Sequence, residues 1–249
     1  MKDTHIVENN MLLKKIVRCI TKALGDDLNA YLQENRLETN NNLFMHRGDF
    51  INQNLRTLIA EENIELIPFK RFTWEGRILI DRSSKVTYTI LSNSALKSVQ
   101  KNNIRTWPHY LHSILSGENA EFKAVPKQLT LEESGDFGPL EFDEDDLKED
   151  YNDIMGRYVE ISHECTHYVV TYTAEHGQVQ NIQLLLLDKD LGIVESVSLN
   201  KYIKLDFSDL TADAHDGTVN REGNIKDYVN VKPGLKTKLH KDEKRPNFI

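Results

Sequence analysis

The sequence predicts an α+β fold, with helices at the N-terminus and two separate groups of β-strands. Apolar residues recur with a helical period between residues 11 and 61. Between Arg77 and Ile90, and again between residues 157 and 202, β-branched and aromatic residues form short runs separated by polar turns. The first pattern is typical of amphipathic helices, and the second is typical of strands joined by turns.

Four regions are expected along the chain of 249 residues. We expect a helix-plus-sheet domain over residues 1–130, an acidic connector over 131–156 and an antiparallel β-meander over 157–204. Residues 205–249 form a polar segment that ends in a basic tail. They lack periodicity, so weak order is expected there.

The N-terminal region is expected to contain three helices. Residues 11–23 carry apolar side chains on one helical face, and Gly25 is expected to end this helix. A second helix is expected after a cap at Asp26 or Asp27. A third is expected over residues 43–61. Its buried stripe consists of Phe50, Ile51, Leu55, Leu58 and Ile59.

The stretch from Ile64 to Ser92 has the strongest β signal in the chain. Its alternation of apolar and polar residues predicts a β-hairpin that turns at residues 81–84. The expected apolar face consists of Ile78 and Ile80 in the first arm and of Val86, Tyr88 and Ile90 in the second. A hairpin with a single apolar side has to be covered, and the helices before and after it are the candidates.

Two short helices are expected after the hairpin, over residues 93–102 and 109–115, with Pro108 at the entry of the second. The acidic connector is expected to end in a helix over residues 143–153. Beyond it, short β runs separated by polar turns predict an antiparallel meander of three or four strands. Within this meander, residues 158–172 are expected to be extended.

Charge is unevenly distributed along the chain, although the formal net charge is only -8. Residues 1–116 hold 16 Lys or Arg against 12 Asp or Glu, whereas residues 117–230 hold 9 against 25. Residues 132–153 alone carry eleven carboxylates and one lysine. Such a block repels itself, so the first interpretation is a solvated linker. The alternative is a surface that contacts a basic protein partner or mimics the charge of nucleic acid.

The composition indicates a cytoplasmic protein that does not enter a membrane. The longest apolar run, Leu184 to Leu187, is far shorter than the roughly 20 residues that a bilayer helix needs. The N-terminus lacks the basic-then-apolar order of a secretory signal. Cys19 and Cys165 lie far apart and do not suggest a disulfide framework, which fits a reducing compartment.

The segment His163-Glu164-Cys165-Thr166-His167 matches the H-E-x-x-H pattern of zinc hydrolases. On a helix this spacing places two imidazoles one turn apart, with the glutamate as base for a metal-bound water. The flanking residues instead predict a strand, on which the two histidines would lie roughly 13 Å apart. On that strand His163, Cys165 and His167 would share one face, so neighbouring pairs would need ligands from another segment. We therefore expect no metal and no cofactor.

Asp81 and Lys85 frame the predicted turn and suggest a second enzymatic hypothesis. Restriction-like nucleases hold Mg²⁺ with an aspartate and a nearby Glu-x-Lys on adjoining strands. No carboxylate follows Lys85 in the second arm. The nearest such tripeptide, Glu121-Phe122-Lys123, lies in a segment expected to be irregular. Both residues are therefore expected to be hydrated turn residues.

Basic and aromatic residues cluster on or beside the predicted hairpin. The candidates for nucleic-acid binding are Lys70, Arg71, Trp74, Arg77, Arg82, Lys85 and Arg105. Together they would form a cationic aromatic surface of the kind that binds single strands. The alternative is that the aromatic side chains belong to the core and the charges to a solvated face.

Four short features occur in order along the first half of the chain. They are Asp49-Phe50-Ile51-Asn52 on a helix, Trp74 before the hairpin, Tyr88-Thr89-Ile90 in its second arm and His109-Tyr110 at a helix start. This order, over about residues 40–130, resembles a group of uncharacterised bacterial and phage proteins classed as a domain of unknown function. The resemblance implies a bacterial or mobile-element origin, and it implies no activity or catalytic residue.

The predicted function is that of a non-catalytic binding or regulatory protein that acts through protein contacts. No set of acid, base, nucleophile and metal ligands agrees with the predicted secondary structure, and charge is segregated along the chain. The first alternative is a nucleic-acid-binding or nuclease-like protein that uses the basic hairpin face. The second is a zinc hydrolase acting through His163 and His167.

Overall fold

The computed structural model describes residues 9–35, 43–59, 63–71, 73–101, 106–125, 142–175 and 178–203. Within these ranges six strands form one sheet, and two apolar cores pack helices against its opposite faces. This arrangement confirms the predicted α+β class. The expected weak order of residues 205–249 concerns a part of the chain outside these ranges. The part of the predicted acidic connector before residue 142 also lies outside them.

Three N-terminal helices form the first layer. α1 (Asn10–Lys22) starts at Asn9, whose side chain accepts a hydrogen bond from the backbone N–H of Leu12. One π-helical segment, Ala23–Asp27, joins α1 directly to α2 (Leu28–Glu34), so the predicted break at Gly25 is wrong. The apolar face continues through buried residues on both sides of the glycine, and this burial offsets the roughly 1 kcal/mol that glycine costs in a helix. The predicted cap at Asp26 or Asp27 is also absent, because the chain is already helical there.

α3 (Leu43–Leu58) completes this layer and confirms the predicted third helix. Two members of the predicted stripe, Ile51 and Leu55, are buried in it, and Ile59 is buried just beyond its end. They pack in the same core as the apolar face of α1. Amphipathic periodicity therefore identified the buried side of this helix.

The sheet contains its strands in the order in which they occur in the chain. They are β1 (Ile64–Arg71), β2 (Trp74–Asp81), β3 (Val86–Ser92), β4 (Thr166–Glu175), β5 (Gln178–Leu187) and β6 (Ile193–Ser198). All neighbours are antiparallel except β3 and β4, which are parallel. The predicted hairpin is β2–β3, and the predicted antiparallel meander is β4–β6. Because β3 is hydrogen-bonded to β4, the predicted N-terminal domain and the predicted meander contribute to the same sheet.

A helical crossover separates the two parallel strands, as parallel neighbours require. It comprises α4 (Asn93–Lys101), α5 (Tyr110–Glu118), α6 (Glu144–Met155) and the single turn α7 (Val159–Ser162). The first three match the helices predicted after the hairpin and at the end of the acidic connector. No helix in the described part of the chain is both long enough and apolar enough to cross a bilayer.

The hairpin β2–β3 is apolar on both faces, so the prediction of a single apolar side is wrong. Ile80 lies opposite Thr87 in the register, while Leu79 lies opposite Tyr88. Ile78 and Ile80 therefore pack with the crossover helices, whereas Val86 and Tyr88 pack with α1 and α3. A sheet covered on both faces buries alternate residues in two different cores.

β2 and β3 separate towards one end of the sheet. β2 pairs with β1 along its whole length, and β3 does the same with β4. Between β2 and β3, however, the register contains only three pairs, from Asp81↔Val86 to Leu79↔Tyr88. Beyond them, residues 76–78 and 89–91 do not pair with each other. The sheet is therefore open between these two strands, near α3 and the start of α4.

Residues 158–165 are not extended, and the prediction of a strand there is wrong. Gly156–Tyr158 forms a 3-10 turn, α7 follows, and the extended backbone begins only at Thr166. Ser162 holds this turn closed, because its hydroxyl donates to Val159 O and accepts from the hydroxyl of Tyr151. Tertiary contacts thus override the β propensity of the local sequence.

Candidate functional site

The H-E-x-x-H segment spans a turn and the first residues of β4. His163 is exposed beside the turn, whereas the side chain of His167 is fully buried. Both ring nitrogens of His167 have protein partners, with Thr87 Oγ1 at 2.7 Å from Nδ1 and Thr89 Oγ1 at 2.9 Å from Nε2. In the described ranges, no three His, Cys, Asp or Glu side chains are grouped so that they could hold a metal ion. This geometry gives no support to the zinc-hydrolase alternative.

His167 belongs to a buried polar cluster that the sequence did not reveal. Thr87 donates to the carboxyl of Glu118, and that carboxyl lies 3.9 Å from His167 Nδ1. On its other side, Glu118 lies 3.3 Å from the hydroxyl of Tyr151, which donates to Ser162. The cluster therefore links β3, β4, α5, α6 and α7 inside the protein.

Burial keeps Glu118 and His167 neutral. Desolvation raises the pKa of Glu118 to about 8 and lowers the pKa of His167 to about 3. A neutral carboxyl can donate to Tyr151 and accept from Thr87. A neutral imidazole can donate to Thr87 through Nδ1 and accept from Thr89 through Nε2. With these proton positions, each polar group in the cluster has a partner.

Asn119 ties the same region to the backbone of two strands. Its side-chain N–H₂ group donates to His167 O at 2.9 Å and to Leu187 O at 2.7 Å. Its oxygen accepts from the backbone N–H of His167 at 2.8 Å. A single buried amide thus satisfies three main-chain groups where β4 starts and β5 ends. An asparagine after a helix carries no sequence signal for this role.

The structure describes six of the seven residues predicted to bind nucleic acid and places them in two groups. Arg71 pairs with Asp150 at 2.7 Å, Arg82 pairs with Glu65, and Lys85 pairs with Glu164 at 2.6 Å. Arg105 lies outside the described residues, and Lys70 is exposed at the end of β1. Trp74 and Arg77 lie at the open end of β2, far along the strand from the turn that carries Arg82 and Lys85. The six described candidates therefore lie at two opposite ends of β2, with Lys70, Arg71, Trp74 and Arg77 at one end and Arg82 and Lys85 at the other.

Asp81 is a structural residue at the β2–β3 turn. One of its oxygens accepts from Ser83 and Ser84, and the other accepts from the side chain of Asn9 at 2.8 Å. Burial raises the pKa of this carboxyl, but these hydrogen bonds outweigh burial and hold the pKa below its ordinary value. Both oxygens are engaged in fixing the turn and the start of α1, so this geometry does not favour the nuclease-like hypothesis.

An acidic groove lies between α6 and the segment that precedes α5. It has a volume of about 460 Å³. Its lining includes Trp107, Asp146, Glu149, Asp150 and Asp153, together with Lys70 and Arg71 at the C-terminal end of β1. Trp107 is 64% exposed, which is unusual for a side chain of this size. The described part of the predicted acidic block thus forms a helix that packs on the core through one face and borders a groove with another.

A larger cleft occupies the opening between β2 and β3. It has a volume of about 820 Å³ and is lined by α3, the start of β2, the end of β3 and the first residues of α4. Gly76 allows this wall to form, because a Cβ there would lie within 2.6 Å of the rings of Phe69 and Trp74. Those rings and Tyr110 pack together, with Trp74 stacked on Tyr110 at a centroid distance of 5.3 Å.

Two arginines line this cleft without a carboxylate partner among the residues that the structure describes. Arg47 is half-buried, and its Nε atom has no hydrogen-bond partner within the described ranges. Burial raises the pKa of Tyr172, and the positive charge of Arg47 opposes this rise. Among the described residues, Arg77 donates only to the neighbouring carbonyl of Gly76. Sequence reasoning identified Arg77 but missed Arg47, which lies only two residues before Asp49.

All four features of the family resemblance contribute residues to this cleft. Its lining includes Asp49, Asn52, Trp74, Thr89 and Tyr110. These residues come from positions far apart in the sequence, and the opening of the sheet brings them together. A model of DUF5986, a family of unknown function, matches residues 7–248.

The chain belongs to this family. The DUF5986 match confirms the resemblance to a domain of unknown function and extends it from about residues 40–130 to almost the whole chain. The implied bacterial or phage origin stays a prediction. No curated protein and no solved structure matches the chain.

Proposed function

We propose that this DUF5986 protein binds another protein through the acidic groove, and that the partner presents a basic segment there. The observation that carries the proposal is the position of Trp107, 64% exposed beside the carboxylates of α6. Exposed tryptophans are frequent among the residues that dominate binding energy at protein interfaces. The proposal keeps the function predicted from charge segregation and gives it a location.

The charges of the groove favour a cationic partner. Its lining carries four carboxylates and two cations, Lys70 and Arg71. Arg71 neutralises Asp150, which also accepts from Ser113. No ion pair within the described ranges involves Asp146, Glu149 or Asp153. These three lie on exposed turns of one helix, so their field attracts a basic segment and orients it along the groove.

Photo-crosslinking from position 107 tests this proposal. A photoreactive amino acid replaces Trp107 in the full chain, and a lysate of the organism that encodes the protein is irradiated with it. We expect one dominant crosslinked protein, identified by mass spectrometry, with the crosslink in a Lys/Arg-rich segment. A photoreactive residue at exposed Glu160, which does not line the groove, is expected not to capture it.

Affinity measurements with the captured partner then distinguish the contribution of the Trp107 side chain from that of the carboxylates of α6. Trp107→Ala is expected to weaken binding about 30-fold, because truncating an interface tryptophan costs about 2 kcal/mol. Glu149→Gln with Asp153→Asn is expected to weaken it about threefold to tenfold, since exposed pairs contribute less. Glu144→Gln with Asp145→Asn removes the same charge from the same helix outside the groove and should change little. Equal effects of the two double variants would contradict the proposal.

A further inference from the structure

The cleft between β2 and β3 is a second site that the acidic groove does not explain. Its volume of about 820 Å³ lies within the range of small-molecule sites, and its lining comes from seven elements, namely α3, α4, α5 and β1 to β4. The register between β2 and β3 ends at Leu79↔Tyr88. The backbone of Gly76, Arg77 and residues 89–91 therefore borders the cleft without pairing across it.

The deeper charges of the cleft are positive. Arg47 and Arg77 are half-buried, whereas the two carboxylates in the lining, Asp49 and Glu75, are exposed to water. Water screens an exposed carboxylate more than it screens a half-buried guanidinium. A buried guanidinium N–H without a partner costs free energy, and a bound anion would recover it. The cleft therefore favours an anionic group.

The aromatic wall of the cleft offers a surface for stacking. Trp74 is 48% exposed although Tyr110 stacks on it at an interplanar angle of 14°. This backing by Tyr110 holds the indole in place while much of its surface stays accessible. Stacking of a base on such a side chain contributes about 1–3 kcal/mol and is open to any of the bases, because each has a π-face.

We infer that this cleft binds a nucleotide unit, with its phosphate at Arg47 and Arg77 and its base against Trp74. Ser92, Ser94 and Asn52 also line the cleft and supply hydrogen-bonding groups for sugar and base edges. The same chemistry is presented by a free mononucleotide and by one residue of a single-stranded nucleic acid. The site is separate from the acidic groove, so it stands independently of the protein-binding proposal.

Isothermal titration calorimetry with the full chain tests the inference. The probes are the four ribonucleoside 5′-monophosphates, the matching nucleosides, inorganic phosphate and a short single-stranded oligonucleotide. We expect at least one monophosphate to bind at least tenfold more tightly than its nucleoside and than inorganic phosphate. Tighter binding of the oligonucleotide, with a marked salt dependence, would identify single-stranded nucleic acid as the ligand. Tighter binding of a mononucleotide would identify a free nucleotide.

Variants of the cleft connect the binding to its residues. Arg47→Gln and Arg77→Gln are each expected to weaken nucleotide binding at least tenfold, whereas Arg47→Lys retains the charge and should have a smaller effect. Trp74→Ala should weaken it about tenfold and Trp74→Phe less. Arg82→Gln, which removes the same charge beside Glu65 at the other end of β2, should have no effect. Each variant is checked for an unchanged unfolding transition.

Two results would overturn the inference. The first is that no monophosphate binds more tightly than its nucleoside and than inorganic phosphate. The cleft then does not recognise a phosphate and a base together. The second is that binding persists unchanged in folded Arg47→Gln and Trp74→Ala variants, because the nucleotide then binds elsewhere.

Discussion

The buried cluster around His167 and the cleft around Arg47 are both polar regions of the same sheet, but they differ in how their hydrogen bonds are completed. In the cluster, the side chains of Thr87, Glu118 and His167 find their partners within the chain. In the cleft, Arg47 keeps a buried donor without a partner among the described residues, and Trp74 is half-exposed. The first region is complete without a ligand, and the second is not.

This difference shows that the chemical type of a residue does not by itself indicate a functional site. The cluster contains one histidine of the H-E-x-x-H pattern, His167, together with Glu118, which lies outside that pattern. The neutral states and complete hydrogen bonding of these two residues fit a structural role. The cleft contains no residue pattern of that kind. Substitutions in the cluster should therefore lower stability, whereas substitutions in the cleft should lower binding and leave stability almost unchanged.

Asn119→Ala is expected to have the largest effect on stability. It removes the partners of three buried main-chain groups, and each unsatisfied group costs about 1–3 kcal/mol, so a loss of about 3–9 kcal/mol follows. Denaturant unfolding monitored by circular dichroism measures this loss. Asn152→Ala on the exposed face of α6 is the control. A loss below about 1 kcal/mol would mean that β4 and β5 do not depend on this amide.

Glu118 is expected to make stability depend on pH. Its pKa rises from 4.5 to about 8 on folding, so the folded state holds the extra proton and stability falls as pH rises between these values. The pKa of His167 falls from 6.5 to about 3, so its contribution to stability is lost as pH falls through that range. Between pH 4.5 and 6.5 the two residues have opposite effects on how stability changes with pH. Above that interval Glu118 is the one of these two residues that still changes stability, and its contribution should fall by about 1.4 kcal/mol per pH unit.

Glu118→Gln isolates this contribution, because glutamine resembles the neutral carboxyl in shape and hydrogen bonding. Denaturant unfolding of both proteins between pH 6.5 and 8 should show a difference that grows by about 2 kcal/mol. Glu160→Gln, at an exposed position on α7, should behave like the unchanged protein. Parallel pH profiles of the Glu118→Gln variant and the unchanged protein would show that this carboxyl is already ionised in the fold.

Thr87→Val and Thr89→Val should each destabilise the protein by about 1–2 kcal/mol. Valine keeps the size of the side chain but leaves one nitrogen of His167 without a partner. Thermal or denaturant unfolding measures the loss, with Thr173→Val near the end of β4 as the control. If the two losses simply add in the double variant, the cluster does not behave as one network.

Arg47→Leu is expected to have the smallest effect on stability, within about 1 kcal/mol of the unchanged protein and in either direction. The substitution removes a buried donor that lacks a partner among the described residues, so little favourable interaction is lost. Denaturant unfolding checks this expectation alongside the nucleotide titration. A loss as large as that of Thr87→Val would place Arg47 in the structural framework and remove the contrast between the two regions.

Local sequence patterns predicted the fold where one element buries one face. The helical periodicity of α1 and α3 was sufficient for this reason. The strands β2 and β3 are buried on both faces, and they were recognised by their β-branched and aromatic residues. Local patterns failed at residues 158–165, where Ser162 and Tyr151 stabilise a turn in a β-prone segment. The hairpin was assigned a single apolar face because its second core depends on the crossover helices, which no local pattern connects to it.

The sites were less predictable, because they depend on distant segments. Trp74 and Arg77 were identified from composition, and the structure places both in the cleft. Arg47 was missed because its contribution arises only where the separation of β2 from β3 brings α3 to the opening. His167 was recognised as a residue of interest, but its partners Thr87 and Glu118 lie roughly eighty and fifty residues before it.

The parallel pairing of β3 with β4 also has a consequence for synthesis on the ribosome. Thr87 and its partner His167 are 80 residues apart, so β1–β3 leave the exit tunnel well before β4 exists. Until then the nascent chain presents an open strand edge that invites mispairing with other chains. Fragments truncated before β4 should therefore aggregate when expressed alone, and the two halves should acquire their native form together.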